Sequence, residues 1–116
     1  MKLERYDPFD GALGCALAVA AGEVVHVCGT VGANADLTVP ATIEEQMRQA
    51  YRKVAETLAQ FDCTLADVAD QTVFFVGESS EALAASEAVR AEVFGSAPPA
   101  STHGRSRQAH RPEPPG

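Results

Sequence analysis

Thr42 to Phe61 constrains this chain more than any other stretch. At helical spacing Ile43, Met47, Ala50, Tyr51, Val54, Leu58 and Phe61 fall on one stripe, while Glu44, Glu45, Arg48, Gln49, Arg52, Lys53 and Glu56 fall on the other side. Apolar residues recurring at three- and four-residue intervals describe an amphipathic helix. Thr42, with Glu45 three positions on, fits a capping box, in which each side chain takes an orphan backbone N–H of the first turn. Pro40 closes the extended segment before it. A helix this long with one apolar face must lie on a sheet or on another helix. It carries no chemistry itself, but it fixes what flanks it: strands before, a strand and a second helix after.

The chain has 116 residues, enough for one domain. A net charge of −7 argues against a nucleic-acid partner gripped through phosphates. No apolar run is long enough to span a bilayer. Met1 to Arg5 lacks the hydrophobic core of a signal peptide, so the expectation is a cytoplasmic chain with no membrane contact. The cysteines are Cys15, Cys28 and Cys63, and no C-x-x-C occurs. The odd number and the spacing suggest neither a disulfide framework nor a zinc site, so no metal and no cofactor are expected. Cys63 reads as a buried, reduced thiol. Cys15 and Cys28 remain open between that reading and a place in a binding site.

Lys2 to Tyr6 is short and alternating, a first strand, and Asp7 to Gly11 is turn chemistry. Gly14 to Ala20 alternates Cys15, Leu17 and Val19 against alanines, a second strand. Ala21-Gly22 supplies a hairpin connection, and Glu23 to Cys28 returns with Val24, His26 and Cys28 on one face. His26 has two readings, a packed core histidine first and a pocket-facing side chain second. Gly29-Thr30-Val31-Gly32 breaks the strand, and Ala33 to Pro40 is a loop. Beyond the long helix, Asp62 to Thr64 caps a short turn over Leu65 to Val68. Gln71 to Val76 is a β-branched and aromatic run that reads as a central strand buried on both faces. Ser79 and Ser80 are N-cap candidates for a second helix over Glu81 to Phe94, with Ala82, Leu83, Ala85, Val89, Val93 and Phe94 inward and Gly95 as its stop. A sheet with two helices on one face leaves the other face bare, and another subunit covers it most simply.

In this order the pieces resemble the RidA/YjgF family, also called endoribonuclease L-PSP. Gly14-Cys15-Ala16-Leu17-Ala18-Val19 resembles that family's Gly-Tyr-Ser-x-Ala-Val strand, and Val27-Cys28-Gly29-Thr30-Val31-Gly32 its Ser-Gly-x turn. Gln46, Ala50, Val54 and Leu58 match its helix, and Leu65-Ala66-Asp67-Val68 its Asp-Val turn. Thr72-Val73-Phe74, Val93-Phe94-Gly95 and Pro99-Ala100 match its later landmarks. The resemblance covers residues 2–102.

It implies an α+β fold of the chorismate-mutase-like type: a mixed sheet with two helices packed on one face, assembled as a homotrimer around a barrel. Small-molecule ligands would sit at subunit interfaces, with Cys15, Cys28, Gly29, Thr30 and Ser101 at the positions that line them. The family's activity is hydrolysis of reactive enamines and imines to 2-oxo acids and ammonia, without a cofactor. An Arg holds the substrate carboxylate in that chemistry, and Ser101 stands in its place here. Ser offers no charged, bidentate fork. Losing a charged hydrogen bond costs about 1.5–3 kcal/mol. The aromatic position is Cys15 and the turn serine is Cys28, so no catalytic residue is assigned. Two main readings follow: an enamine/imine deaminase, and a non-catalytic small-ligand binding module on the same fold. A damaged, inactive variant is a third. Ribonuclease action ranks last, because the chain is acidic and offers no His–His or His–Lys constellation.

The texture changes after Thr102. Residues 103–116 hold three Arg and one Glu, a balance of +2, which leaves −9 for residues 1–102. The segment shows no β pattern, and three of its last five residues are prolines. The domain is therefore expected to end at Thr102. An atypical Pro/Arg/His-rich tail then replaces the family's final strands and is expected either to be mobile or to make only irregular contacts. One reading is a natural basic tail for an acidic partner. The other is a frameshift: a synonymous back-translation read one base on gives Thr-Val-Glu-Val-Ala-Arg-Leu, similar to the family's Val-Glu-Val-x-x-Leu strand. Sequencing the gene across the Thr102 codon decides between them.

Overall fold

A computed structural model describes residues 2–76 and 80–106. Strands β1 (Leu3–Tyr6), β2 (Ala18–Ala21) and β3 (Val24–Val27) form an antiparallel sheet in that order. Helix α1 (Ile43–Ala59) follows, then a 3-10 turn (Leu65–Asp67) and strand β4 (Asp70–Val76). Helix α2 (Ser80–Phe94) crosses over to β5 (Ala100–Ser106), which pairs parallel with β4. A parallel pair needs such a crossover, and a helix is its usual form. The architecture is α+β with two helices and mixed strand directions. Among the described residues the two sets of strands share no ladder. No helix among them is long and apolar enough to cross a membrane.

The hairpin turns one residue later than its sequence suggests. Ala21 pairs with Val24, so Gly22 and Glu23 form the turn, and Gly22 sits at φ +62°. That is the first turn position of a type II′ hairpin, which favours glycine.

Helix α1 is capped as expected in one direction only. Thr42 Oγ1 accepts from the Glu45 N–H at 3.2 Å. The Glu45 carboxylate does not return the bond, because it pairs with Arg48 instead. The complete capping box lies at the 3-10 turn, where Thr64 and Asp67 cap one another. The helix ends in a Schellman arrangement: the Cys63 N–H donates to Leu58 O and the Asp62 N–H to Ala59 O, with Asp62 in the left-handed region at φ +57°.

The core lies where α1 and α2 meet. Met47, Thr57 and Leu58 of α1 are buried, as are Ala82, Ala85, Ser86, Val89 and Phe94 of α2. Tyr51 meets Phe94 edge-on, with ring centroids 5.3 Å apart. Leu83, expected inward, is 48% exposed. The buried stripe runs 82-85-86-89, and one residue's rotation carries Leu83 off it.

Three further expectations are corrected. His26 is exposed, because β3 turns Val25 and Val27 inward instead. Strand β4 is not buried on both faces: its burial alternates along the whole strand, and Phe74 is 67% and Val76 62% exposed. One chain supplies helices for one side only. The first residues beyond Thr102, expected to make only irregular contacts, continue strand β5 to Ser106, because ladder bonds come from the backbone and need no apolar side-chain pattern. Gly104 suits that ladder: a Cβ there would stand 2.6 Å from Phe74 Cε1. The His103 ring lies 5.7 Å from that of Phe75. Gly77, Glu78, Ser79 and residues 107–116 fall outside the described residues, the candidate cap at Ser79 and the rest of the tail among them.

Candidate functional site

Four of the five residues singled out in the sequence are grouped at one end of the antiparallel sheet. The Leu17 N–H donates to Tyr6 O at 2.8 Å, and the Cys28 N–H to Leu17 O at 2.9 Å, so chain pairing continues past the formal ends of β2 and β3. Cys15 is exposed in the bend before β2, and Cys28 is partly exposed just after β3. Burial first, and the neighbouring Cys15 second, push the Cys28 thiol above its ordinary range. Cys28 Sγ donates to Gly29 O at 3.4 Å, and Thr30 Oγ1 donates to Cys28 O at 3.2 Å. These contacts fold the turn over its own backbone.

The loop behind the turn is held by α1. Lys53 Nζ donates to Val31 O at 3.0 Å, and Gln46 Nε2 donates to Pro40 O at 3.0 Å. Gly32 presses on the helix backbone: a Cβ there would stand 2.2 Å from Gln46 O. No side chain fits at that distance, so glycine is required.

Ser101 stands apart from the other four. It lies in β5 opposite Gln71, and Gln71 Nε2 donates to its hydroxyl at 2.8 Å. Tyr51 Oη donates to Gln71 Oε1 at 3.0 Å, and Ser101 Oγ reaches Pro99 O at 3.5 Å. A relay therefore runs from α1 through β4 to β5, with every donor aimed the same way. Among the described residues no hydrogen bond joins Ser101 to the cysteine cluster. Tyr51 is half-buried, and that burial raises its phenol above the ordinary value. Periodicity places Tyr51 on the helix stripe and gives Gln71 no role beyond opening a strand. The one signal for the relay is an amide at the head of an otherwise apolar strand.

A shallow cleft of about 260 Å³ opens on the helix side, lined by Arg48, Tyr51, Arg52, Ala55, Leu65, Glu92 and Val93. It holds none of the five residues. Arg48 is already engaged there, with Nε 2.8 Å from Glu92 Oε2 and a second partner in Glu45. That guanidinium holds the Glu92 carboxyl below the usual carboxylate range. Among the described residues no group of three or more His, Cys, Asp and Glu side chains converges on a metal position.

Comparison with known proteins settles the lineage. The family model described as Endoribonuclease L-PSP matches residues 15–110. The chain belongs to this family, the RidA/YjgF family. Among curated relatives, the RutC family protein YjgH of Escherichia coli K12 is 33% identical over 82 residues. That stretch is 71% of this chain and 61% of YjgH, so the chain spans less than two thirds of that relative's length. Among solved structures, Rv2704 of Mycobacterium tuberculosis, described as a YjgF/YER057c/UK114 member, superposes with a TM-score of 0.77 at 25% identity, covering 96% of this chain and 90% of its own. Yeast Mmf1 shares the fold at a TM-score of 0.74 and 23% identity, covering 97% of this chain and 90% of its own. The RidA/YjgF match runs past Thr102 into the segment whose texture changes, in keeping with the extent of β5.

Proposed function

We propose that this chain is a cytoplasmic small-metabolite protein that assembles as a homotrimer. It holds its ligand between subunits and acts as a binding module rather than as a deaminase. Family membership supports the small-molecule role. The position that would grip a substrate carboxylate supports the non-catalytic reading. Ser101 is uncharged, and its hydroxyl is already committed to Gln71 and directed towards Pro99 O. A neutral hydroxyl with both partners supplied neither orients a carboxylate nor compensates its charge.

The experiment has two arms. Ammonia release from 2-aminoacrylate should not exceed the uncatalysed rate; clear acceleration would establish the hydrolytic reading instead. Calorimetry with 2-oxobutanoate should show Ser101→Arg binding more tightly than the parent by about 1.5–3 kcal/mol, the worth of a charged hydrogen bond. Equal affinities would mean that position 101 does not face the ligand.

A further inference from the structure

The surroundings of position 101 form an ordered set of donors and acceptors. The Tyr51 hydroxyl donates to Gln71 Oε1 at 3.0 Å, which turns the amide so that its NH2 group faces β5. Gln71 Nε2 then donates to Ser101 Oγ at 2.8 Å. That bond takes up an acceptor site of the hydroxyl and leaves its proton to point elsewhere. Pro99 O is the acceptor in reach, at 3.5 Å. An O–H···O bond is ordinarily about 2.5–3.0 Å long, so this arm is slack. Ser101 is exposed, so a ligand has access to the hydroxyl. Among the described residues no charged side chain hydrogen-bonds to Gln71 or to Ser101.

We propose that the Ser101 O–H and Pro99 O, set by Gln71, form a donor–acceptor pair that selects an uncharged carboxamide over a carboxylate. This rests on the proposed function, in which Ser101 faces the ligand. A primary carboxamide carries both complements: its carbonyl accepts from Ser101 Oγ, and its N–H donates to Pro99 O. It replaces the slack arm, and neither protein group is left without a partner. A carboxylate has acceptors only. It can take the Ser101 proton, but its second oxygen then stands against the Pro99 carbonyl with no N–H between them. It also arrives charged, and no counter-charge among the partners of Gln71 and Ser101 offsets its lost hydration. A site built on such hydrogen bonds discriminates well, because a mismatched ligand leaves polar groups unpaired. Gln71 sets the direction of the Ser101 proton and so the specificity. Tyr51 is a positioning residue: it acts by fixing which end of the Gln71 amide meets Ser101.

Calorimetry on the full chain with 2-oxobutanamide and 2-oxobutanoate, alike in shape and different in charge, tests this. The amide should bind about tenfold or more tightly than the carboxylate. Ser101→Ala removes the donor from an exposed position, so the fold stays intact, and should weaken the amide by about three- to tenfold. Ser101→Arg supplies the missing charge and should invert the order of the two compounds. Tyr51→Phe lets the Gln71 amide turn and should weaken the amide by about two- to threefold. In the Ser101→Ala background the same change should add nothing, because the Tyr51 effect runs through Ser101. A further loss in that background would overturn the positioning role of Tyr51. A parent that binds 2-oxobutanoate as tightly as the amide, that binds neither, or that keeps its full amide affinity in Ser101→Ala would overturn the proposal. Ammonia release from 2-aminoacrylate, measured separately, would overturn the binding-module reading instead.

Discussion

The two faces of β4 begin from similar residues and end in different surroundings. On the helix side Gln71, Val73 and Phe75 are half-buried; on the other side Asp70, Thr72, Phe74 and Val76 are exposed. The first face is tied down by the Tyr51–Gln71–Ser101 relay. On the second, the Phe74 ring lies over Gly104 and is 67% exposed. Two parallel strands are not a stable unit in water, since parallel sheets occur almost always with both faces covered. Among the described residues nothing covers the apolar side chains on the open face, where Phe74 is 67% and Val76 62% exposed. The difference teaches that the strand is apolar on both faces in composition, while the described residues of one chain cover only one of them.

The largest expected effect tests that difference directly. If a second copy covers the open face, Phe74→Asp combined with Val76→Asp should abolish association. Each apolar side chain buried in an interface contributes about 1.5–3 kcal/mol, so the pair withdraws about 3–6 kcal/mol before the cost of burying charge is added. Light scattering at micromolar concentration should give three times the chain mass for the parent and one chain mass for the variant. A parent chain that already scatters as a monomer would end the comparison, because the open face would then need no cover.

How much of this is legible in the sequence follows from the range of each interaction. The α1 stripe, the Thr42 cap and the order of elements are local, set by periodicity and by residues three or four apart, so the amino-acid order alone reveals them. Strand β4 is legible as a strand but not in its burial, because Val73 to Val76 is apolar on both faces and only the partner elements decide which face is covered. His26 fails in the same way: alternation places it on the face of Val24 and Cys28, but does not say which face turns inward. The end of β5 is hidden because His103, Gly104 and Arg105 carry no strand pattern, whereas a parallel ladder needs only free backbone donors and acceptors. The Gln71–Ser101 contact is hidden because it depends on a crossover through a whole helix.

A second, smaller effect sharpens the comparison from the packed side. Gly32 touches the backbone of α1, with a Cβ there only 2.2 Å from Gln46 O and 2.6 Å from its carbonyl carbon. Backbone atoms cannot rotate away as a side chain does. Gly32→Ala should therefore force the loop off the helix and cost about 1–3 kcal/mol, the usual range for overpacking. Urea denaturation should show the midpoint falling while the slope is unchanged. On the open face Thr72→Val adds comparable bulk and should leave the midpoint where it is. Equal shifts for the two variants would mean that the two sides do not differ in tightness.

The smallest expected effect concerns the relay that fastens the packed side. Tyr51→Phe removes one hydroxyl and leaves the ring against Phe94 in place. The net loss should be about 0.5–1.5 kcal/mol, the worth of one hydrogen bond between neutral groups. The same residue gives an alkaline signature. Burial raises the Tyr51 phenol above its ordinary value of 10.0, so the folded chain keeps this proton at a pH where the unfolded chain has released it. Stability from this group is complete below pH 10.0 and declines as the pH climbs from there through the folded-state value. In Tyr51→Phe that part of the decline should vanish, so parent and variant stabilities should converge above pH 10. Parallel curves for the two proteins would mean that Tyr51 ionises as freely in the folded chain as in the unfolded one. Burial of the phenol against α2 would then not be opposing its ionisation.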